Sequence, residues 1–141
     1  MDCSDRNSVA HLNNGSRRRI LICGYYGEHN LGDDALLAVL LSQIQGQWIP
    51  VITANDQKAV EALAPGSETV NRRSLKSVLT ALRNVDALVL GGGSLLQDAT
   101  STRSLMYYII LIWCAKSLQK PVFLWGQGLG PLKRRISRLL V

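Results

Sequence analysis

An α/β fold, a parallel sheet with helices on both faces, is what the sequence predicts, and three observations predict it. Three short apolar runs each end abruptly in a glycine-rich polar loop. Strand-like runs alternate with segments of helical period. The chain has 141 residues, 47% of them hydrophobic, which suits one domain with a sizeable core and argues against global disorder.

Residues 1–16 are polar and are expected to form a disordered leader, with a single domain over 17–141. Arg17, Arg18 and Arg19 precede the first strand, Ile20 to Gly24, as a solubilising edge or as a contact for an anionic surface. Asp33 or Asp34 is expected to cap a helix through about Ile44, burying Leu36, Leu37, Leu40, Leu41 and Ile44. Trp48 to Thr53 reads as the second strand, and Pro50 suggests an edge position or a late start. Asp56 caps a short helix to Leu63, Glu68 to Asn71 is a short third strand, and Ser74 to Asn84 is a helix with Leu75, Val78, Leu79 and Leu82 inward. Asp86 to Gly91 is the fourth strand. Thr100 or Ser101 opens a long helix to Leu118, and the fifth strand follows Pro121 to about Trp125. After Pro131 a basic amphipathic helix begins, with Leu132, Ile136, Leu139 and Leu140 on one side.

The helix from Ser101 to Leu118 is apolar on nearly every face, so it is expected to be buried on more than one side. A second domain or a second copy of the chain would supply the further cover. The amphipathic pattern still running at Val141 points the same way, to an N-terminal part of a larger protein.

The formal net charge is +6. That balance suits an anionic substrate, an anionic membrane face or a plain solvated surface. No helix-turn-helix, finger or aromatic-basic motif appears, so nucleic acid is not expected as a partner. The cysteines, Cys3, Cys23 and Cys114, are odd in number and lie outside metal-ligand spacing, which suggests free thiols in a reducing compartment. Cys23 is expected to be a small core residue rather than a nucleophile. No apolar leader precedes the domain, and the longest apolar run, Leu105 to Ala115, is too short to span a bilayer. A cytoplasmic protein is expected, with peripheral contact to the inner membrane face as an option.

Ligands of open parallel sheets bind beyond the carboxyl ends of the strands, and all three glycine loops lie there. The first, Gly24-Tyr25-Tyr26-Gly27-Glu28-His29-Asn30-Leu31-Gly32-Asp33-Asp34, lacks the spacing of a dinucleotide fingerprint and of a Walker loop. Two carboxylates at its helix would repel a phosphate, so the loop suits a hydroxyl-rich ligand or its own ordering. Asp33 is either a helix cap, a ligand contact or both. Asn30 either takes left-handed backbone or bonds a ligand, and His29 is a solvated side chain or a base. In the second loop, Gly91-Gly92-Gly93-Ser94-Leu95-Leu96-Gln97-Asp98, the glycines present Gln97 and Asp98. Asp98 either caps the next helix or accepts a hydrogen bond from a sugar hydroxyl. Arg103, one turn on, is placed to pair with Asp98 or to meet an anion. The third loop, Gly126-Gln127-Gly128-Leu129-Gly130-Pro131, offers Gln127 and backbone amides.

Taken in order, these stretches, with Ser104-Leu105 and Tyr107-Tyr108, resemble the N-terminal half of the bacterial polysaccharide pyruvyl transferases over residues 20 to 132. Gly32-Asp33-Asp34 stands where the family commonly has Gly-Asp-Glu, and Ser94 takes the fourth place of the glycine run. The resemblance implies the Rossmann-like N-terminal domain of a two-domain, glycosyltransferase-B-like enzyme. Such an enzyme moves the pyruvyl group of phosphoenolpyruvate, a donor substrate rather than a cofactor, onto a cell-envelope saccharide, often lipid-linked, as a ketal. No metal is implied. The second domain carries most of the donor-binding and chemical residues, so no catalytic residue is assigned and the chain alone is expected to be inactive. The resemblance passes acceptor-cleft or structural roles to Asn30, Asp33, Gly91, Gly92, Gly93, Gln97, Asp98 and Gln127, and the loops themselves add Tyr25, Gly27, Gly32, Arg103 and Gly128 as candidate substrate-binding residues. Two other readings stay open: the N-terminal half of a nucleotide-sugar glycosyltransferase, and a non-enzymatic Rossmann-like binding module.

Overall fold

The computed structural model describes residues 17–93, 95–96, 101–128, 135 and 139. The expected leader, Ser94, Gln97, Asp98, Thr100 and the continuous helix expected after Pro131 lie outside the described residues. Among the described residues the elements follow in order: β1 (Arg18–Cys23), α1 (Leu31–Ile44), β2 (Trp48–Ala54), α2 (Gln57–Leu63), β3 (Glu68–Asn71), α3 (Leu75–Arg83), β4 (Ala87–Gly91), α4 (Thr102–Ser117) and β5 (Val122–Trp125). The strands form one sheet in the order β3-β2-β1-β4-β5, and every pairing is parallel. This is the Rossmann-like arrangement expected. The chain steps outward from β1 to β3, then returns to lay β4 on the other side of β1. The order reverses between β1 and β4, and their carboxyl ends diverge there into loops.

The two-residue side-chain period of the strands divides the core in two. Leu21 and Cys23 of β1, Val51 of β2, and Leu88 and Leu90 of β4 face α3 and α4. Ile20 and Ile22, Ile52 and Ala54, and Ala87 and Val89 face the other way, packing with Leu37 and Leu40 of α1 and Val60 of α2. Both faces of β4 are buried from Ala87 to Gly91, hence the unbroken apolar run.

Several local expectations hold. Asp56 and Ser74 cap α2 and α3, accepting from the backbone N–H of Ala59 and Ser77. Others need correction. Asn30, not Asp33 or Asp34, caps α1, which begins at Leu31, because the Asn30 side chain accepts from the Gly32 N–H. That frees the Asp33 carboxyl for the loop side. On the buried face of α1 only Leu37 and Leu40 are fully covered; Leu36, Leu41 and Ile44 are half-buried. Strand β2 is interior rather than an edge. Pro50 is accommodated because β3 pairs only from Val51 onward. Arg19 is more than a solubilising edge: its side chain pairs with Glu68 and its N–H donates to Asp86 Oδ2 at 2.7 Å. Ser101 occupies the cap position of α4 without a side-chain cap bond. That helix is apolar all round, yet among the described residues only one side is covered. Leu105, Tyr108, Leu111 and Ala115 are buried, whereas Met106, Ile110 and Trp113 remain exposed.

One tether sets the position of β5. Lys120, just before it, points its ammonium at the end of α3 and donates to the carbonyls of Leu82, Arg83 and Val85 at 2.7, 2.7 and 2.5 Å. A cation on the unsatisfied carbonyls of a helix C-terminus also meets the negative end of the helix dipole. Lys120→Met keeps the aliphatic stem and removes all three bonds. Its expected cost is about 1–3 kcal/mol, read as a lower denaturant midpoint at unchanged slope.

Candidate functional site

The first two residues after Gly24 separate at the switch point. Tyr26 turns to the α1 side and is fully buried, its ring across Gly24 and its hydroxyl donating to the Gly91 carbonyl. A Cβ on Gly24 would lie 2.6 Å from the Gly91 oxygen and inside the Tyr26 ring, and one on Gly91 would lie 2.7 Å from the Tyr26 hydroxyl. Both glycines are therefore dictated by the ring between them. Burial raises the Tyr26 phenol pKa, so it stays a neutral donor.

Tyr25 turns to the α4 side. Its hydroxyl is 2.9 Å from Ser104 Oγ in the first turn of α4, and the Arg72 guanidinium stacks 3.8 Å above its ring. Ser104's bond, helped by Arg72, holds the Tyr25 phenol below its ordinary pKa against the upward pull of burial. Arg72, immediately after β3, also pairs with Glu28 at 3.0 Å and accepts from the Tyr107 hydroxyl at 3.2 Å through its carbonyl. One arginine thus joins the loop after β1, the turn after β3 and helix α4.

The loops after β4 and β5 are joined as closely. Gly92 N–H donates to the Trp125 carbonyl at 3.0 Å, and Gly128 N–H to that of Gly93 at 3.1 Å. Gln127 bridges them, donating to the Gly92 carbonyl at 3.1 Å and accepting from Leu95 N–H at 3.3 Å. Each half of its amide retains one further bonding position.

Asp33 lies between the first and second loops. It is 9% exposed, and its Oδ2 accepts from Asn30 Nδ2 at 2.9 Å. Its Oδ1 faces Gly93, where a Cβ would approach to 2.8 Å. Gly93 also has φ +71, a conformation that side chains other than glycine's resist. Burial first, then the neighbouring Asp34 carboxylate, raise the Asp33 pKa; the bond from Asn30 opposes them.

The structure thus brings Tyr25, Gly27, Asn30, Asp33, Gly91, Gly92, Gly93, Gln127 and Gly128 to the carboxyl edge of the sheet. Gly32 is exposed beside them, and Arg103 is exposed in the first turn of α4. Asn30 has extended backbone; the left-handed residues of this loop are Gly27, at φ 71, and the exposed His29, at φ 58. Cys23 is a core residue: burial pushes its thiol up to about 12, far from a nucleophile's range. Gln97 and Asp98 lie outside the described residues. Reasoning from glycines alone missed Arg72, Arg73 and Glu28. The available signal was their position, since Arg72 and Arg73 follow a strand directly and so belong to the same edge.

A family model described as polysaccharide pyruvyl transferase matches residues 30–141, which takes in Asn30, Asp33 and the second and third glycine loops. No curated protein matches the chain.

Two expectations follow. Asp33 binds its proton more tightly in the folded chain than at the ordinary value of 3.8, so its contribution to stability falls as pH rises through the window above that value. Asp33→Asn is therefore expected to be more stable than the parent at pH 7, with the gain vanishing below pH 3.8 in denaturant titrations across pH. Under native conditions iodoacetamide is expected to leave Cys23 unmodified, and unfolding is expected to expose it, as read by peptide mass mapping. Rapid native labelling of Cys23 would refute its assignment to the core.

Proposed function

Since the chain belongs to the polysaccharide pyruvyl transferase family, we propose that it forms the acceptor half of an enzyme that transfers the pyruvyl group of phosphoenolpyruvate to a cell-envelope or extracellular saccharide. The observation that carries this is the match over residues 30–141, together with the location of its polar loop residues along one sheet edge. Ketal formation joins C2 of the donor to two sugar hydroxyls and releases phosphate. Of the two hydroxyl protons lost, one ends on the donor's methylene carbon and the other on the phosphate. The centre at C2 becomes cationic on the way, which favours carboxylates nearby and a base for each hydroxyl.

Among the described residues Asp33 is the carboxyl we assign to the second task. It faces Gly93, it is held by Asn30, and burial raises its pKa. We assign it to accept a hydrogen bond from an acceptor hydroxyl. Gln127 has one donor and one acceptor position for the same sugar, and from sequence alone we assign Asp98 a similar role. The donor also needs basic groups around it, and we assign most of these to a second domain.

The test uses the product of the whole reading frame and residues 1–141 alone. The whole product is expected to release phosphate from phosphoenolpyruvate only when a saccharide acceptor is present, and to leave a ketal visible by mass spectrometry. Asp33→Ala should lower kcat by about tenfold to a thousandfold, the range expected for loss of a positioned proton acceptor. Residues 1–141 alone are expected to bind acceptor without turnover. Turnover by them alone, or reaction with a nucleotide sugar in place of phosphoenolpyruvate, would contradict the proposal.

A further inference from the structure

Beside the glycine loops, on the α3–α4 side of the same edge, is an open cavity of about 410 Å³. Its wall carries Arg72 and Arg73 from the turn after β3 and Arg103, Ser104 and Tyr107 from the start of α4. The three arginines differ in what they already do. Arg72 is held on both sides, by Glu28 and by the Tyr25 ring, and its charge is balanced by Glu28. Arg73 and Arg103 are exposed, and among the described residues neither has a carboxylate within ion-pair distance.

Two cations on one cavity wall repel each other through the solvent, and an anion that joins them relieves that repulsion. The position of Arg103 adds to that repulsion. It lies in the first turn of α4, at the positive end of the helix dipole, in a turn with no acidic residue. Arg72 shapes the cavity without answering the charge, because its guanidinium is committed to fixing Tyr25 and Glu28. Guanidinium groups from two separate segments, one of them in the first turn of α4, match the oxygens of a phosphate or diphosphate ester.

We propose that this cavity is a phosphate-ester subsite, with Arg73 and Arg103 as its ligating cations and Arg72 as the residue that positions its wall. The inference goes beyond the pyruvyl transfer reading and stands on the cavity itself. Two sources share the required chemistry: the phosphate of a small donor, and the diphosphate that joins a saccharide to a carrier.

The experiment is calorimetric titration of the chain with inorganic pyrophosphate and, separately, phosphoenolpyruvate. Arg73→Ala, Arg103→Ala, the double variant and Arg83→Ala are compared with the parent. Arg83 is exposed at the far end of α3 and does not line the cavity, so it controls for net charge. Saturable binding is expected, weakened about tenfold or more by the double variant, unaffected by Arg83→Ala, and falling as salt rises. Arg73 and Arg103 are exposed, so unchanged melting temperatures are expected for their variants. Tighter binding of phosphoenolpyruvate would identify a donor phosphate, and tighter binding of pyrophosphate a carrier diphosphate; either supports the subsite. No saturable binding, or equal weakening by Arg83→Ala, would overturn it. A chain that binds pyrophosphate through Arg73 and Arg103 yet belongs to a protein with no pyruvyl transfer would refute the proposed function and leave the subsite standing.

Discussion

The Tyr26 hydroxyl on the Gly91 carbonyl is the contact on which the arrangement of this edge depends. It crosses the switch point of the sheet and ties the loop after β1 to the end of β4. To make it, a full aromatic ring must lie against the backbone of both strands, which is possible only where neither carries a Cβ. The chain direction that results sends Tyr25 to the opposite face, where Arg72 stacks on it, and sets α1 so that Asp33 meets Gly93. The carbonyl at Gly91 is buried, so losing its partner would leave an unsatisfied acceptor as well as a loosened loop.

The edge built in this way is chemically divided. On the α1 side are a carboxyl with a raised pKa and amide groups, suited to neutral hydroxyls. On the α3–α4 side are arginines and a helix N-terminus, suited to anions. A saccharide carrying a phosphate, or a saccharide beside a phosphorylated donor, has this polarity. An excess of positive charge over the whole chain is consistent with it, but the division of the edge is the more specific feature.

Much of the fold was legible in the sequence because its signals are local. The continuous apolar run of Ala87–Leu90, the caps at Asp56 and Ser74, and the glycines after three strands each report a constraint that acts within a few residues. What was misread depends on distant partners. The interior place of β2 despite Pro50 reflects where β3 begins, which the sequence of β2 does not contain. Asn30 takes the cap because Asp33 is turned toward Gly93, sixty residues away in sequence. The candidate site was legible in the same measure. Its glycines and Asp33 were visible, whereas Arg72 and Arg73 carry no glycine signal and join the site only because the turn after β3 meets the start of α4.

The central claim is that the carboxyl edge at the β1–β4 switch is where the saccharide binds. The most direct measurement is amide chemical-shift mapping of residues 17–141 during titration with an envelope saccharide. The account predicts shifts concentrated at residues 24–33, 91–96 and 126–128, with the outer faces of α1 and α2 unmoved. Shifts confined to those outer faces, or to the exposed stripe of Met106, Ile110 and Trp113 on α4, would contradict it.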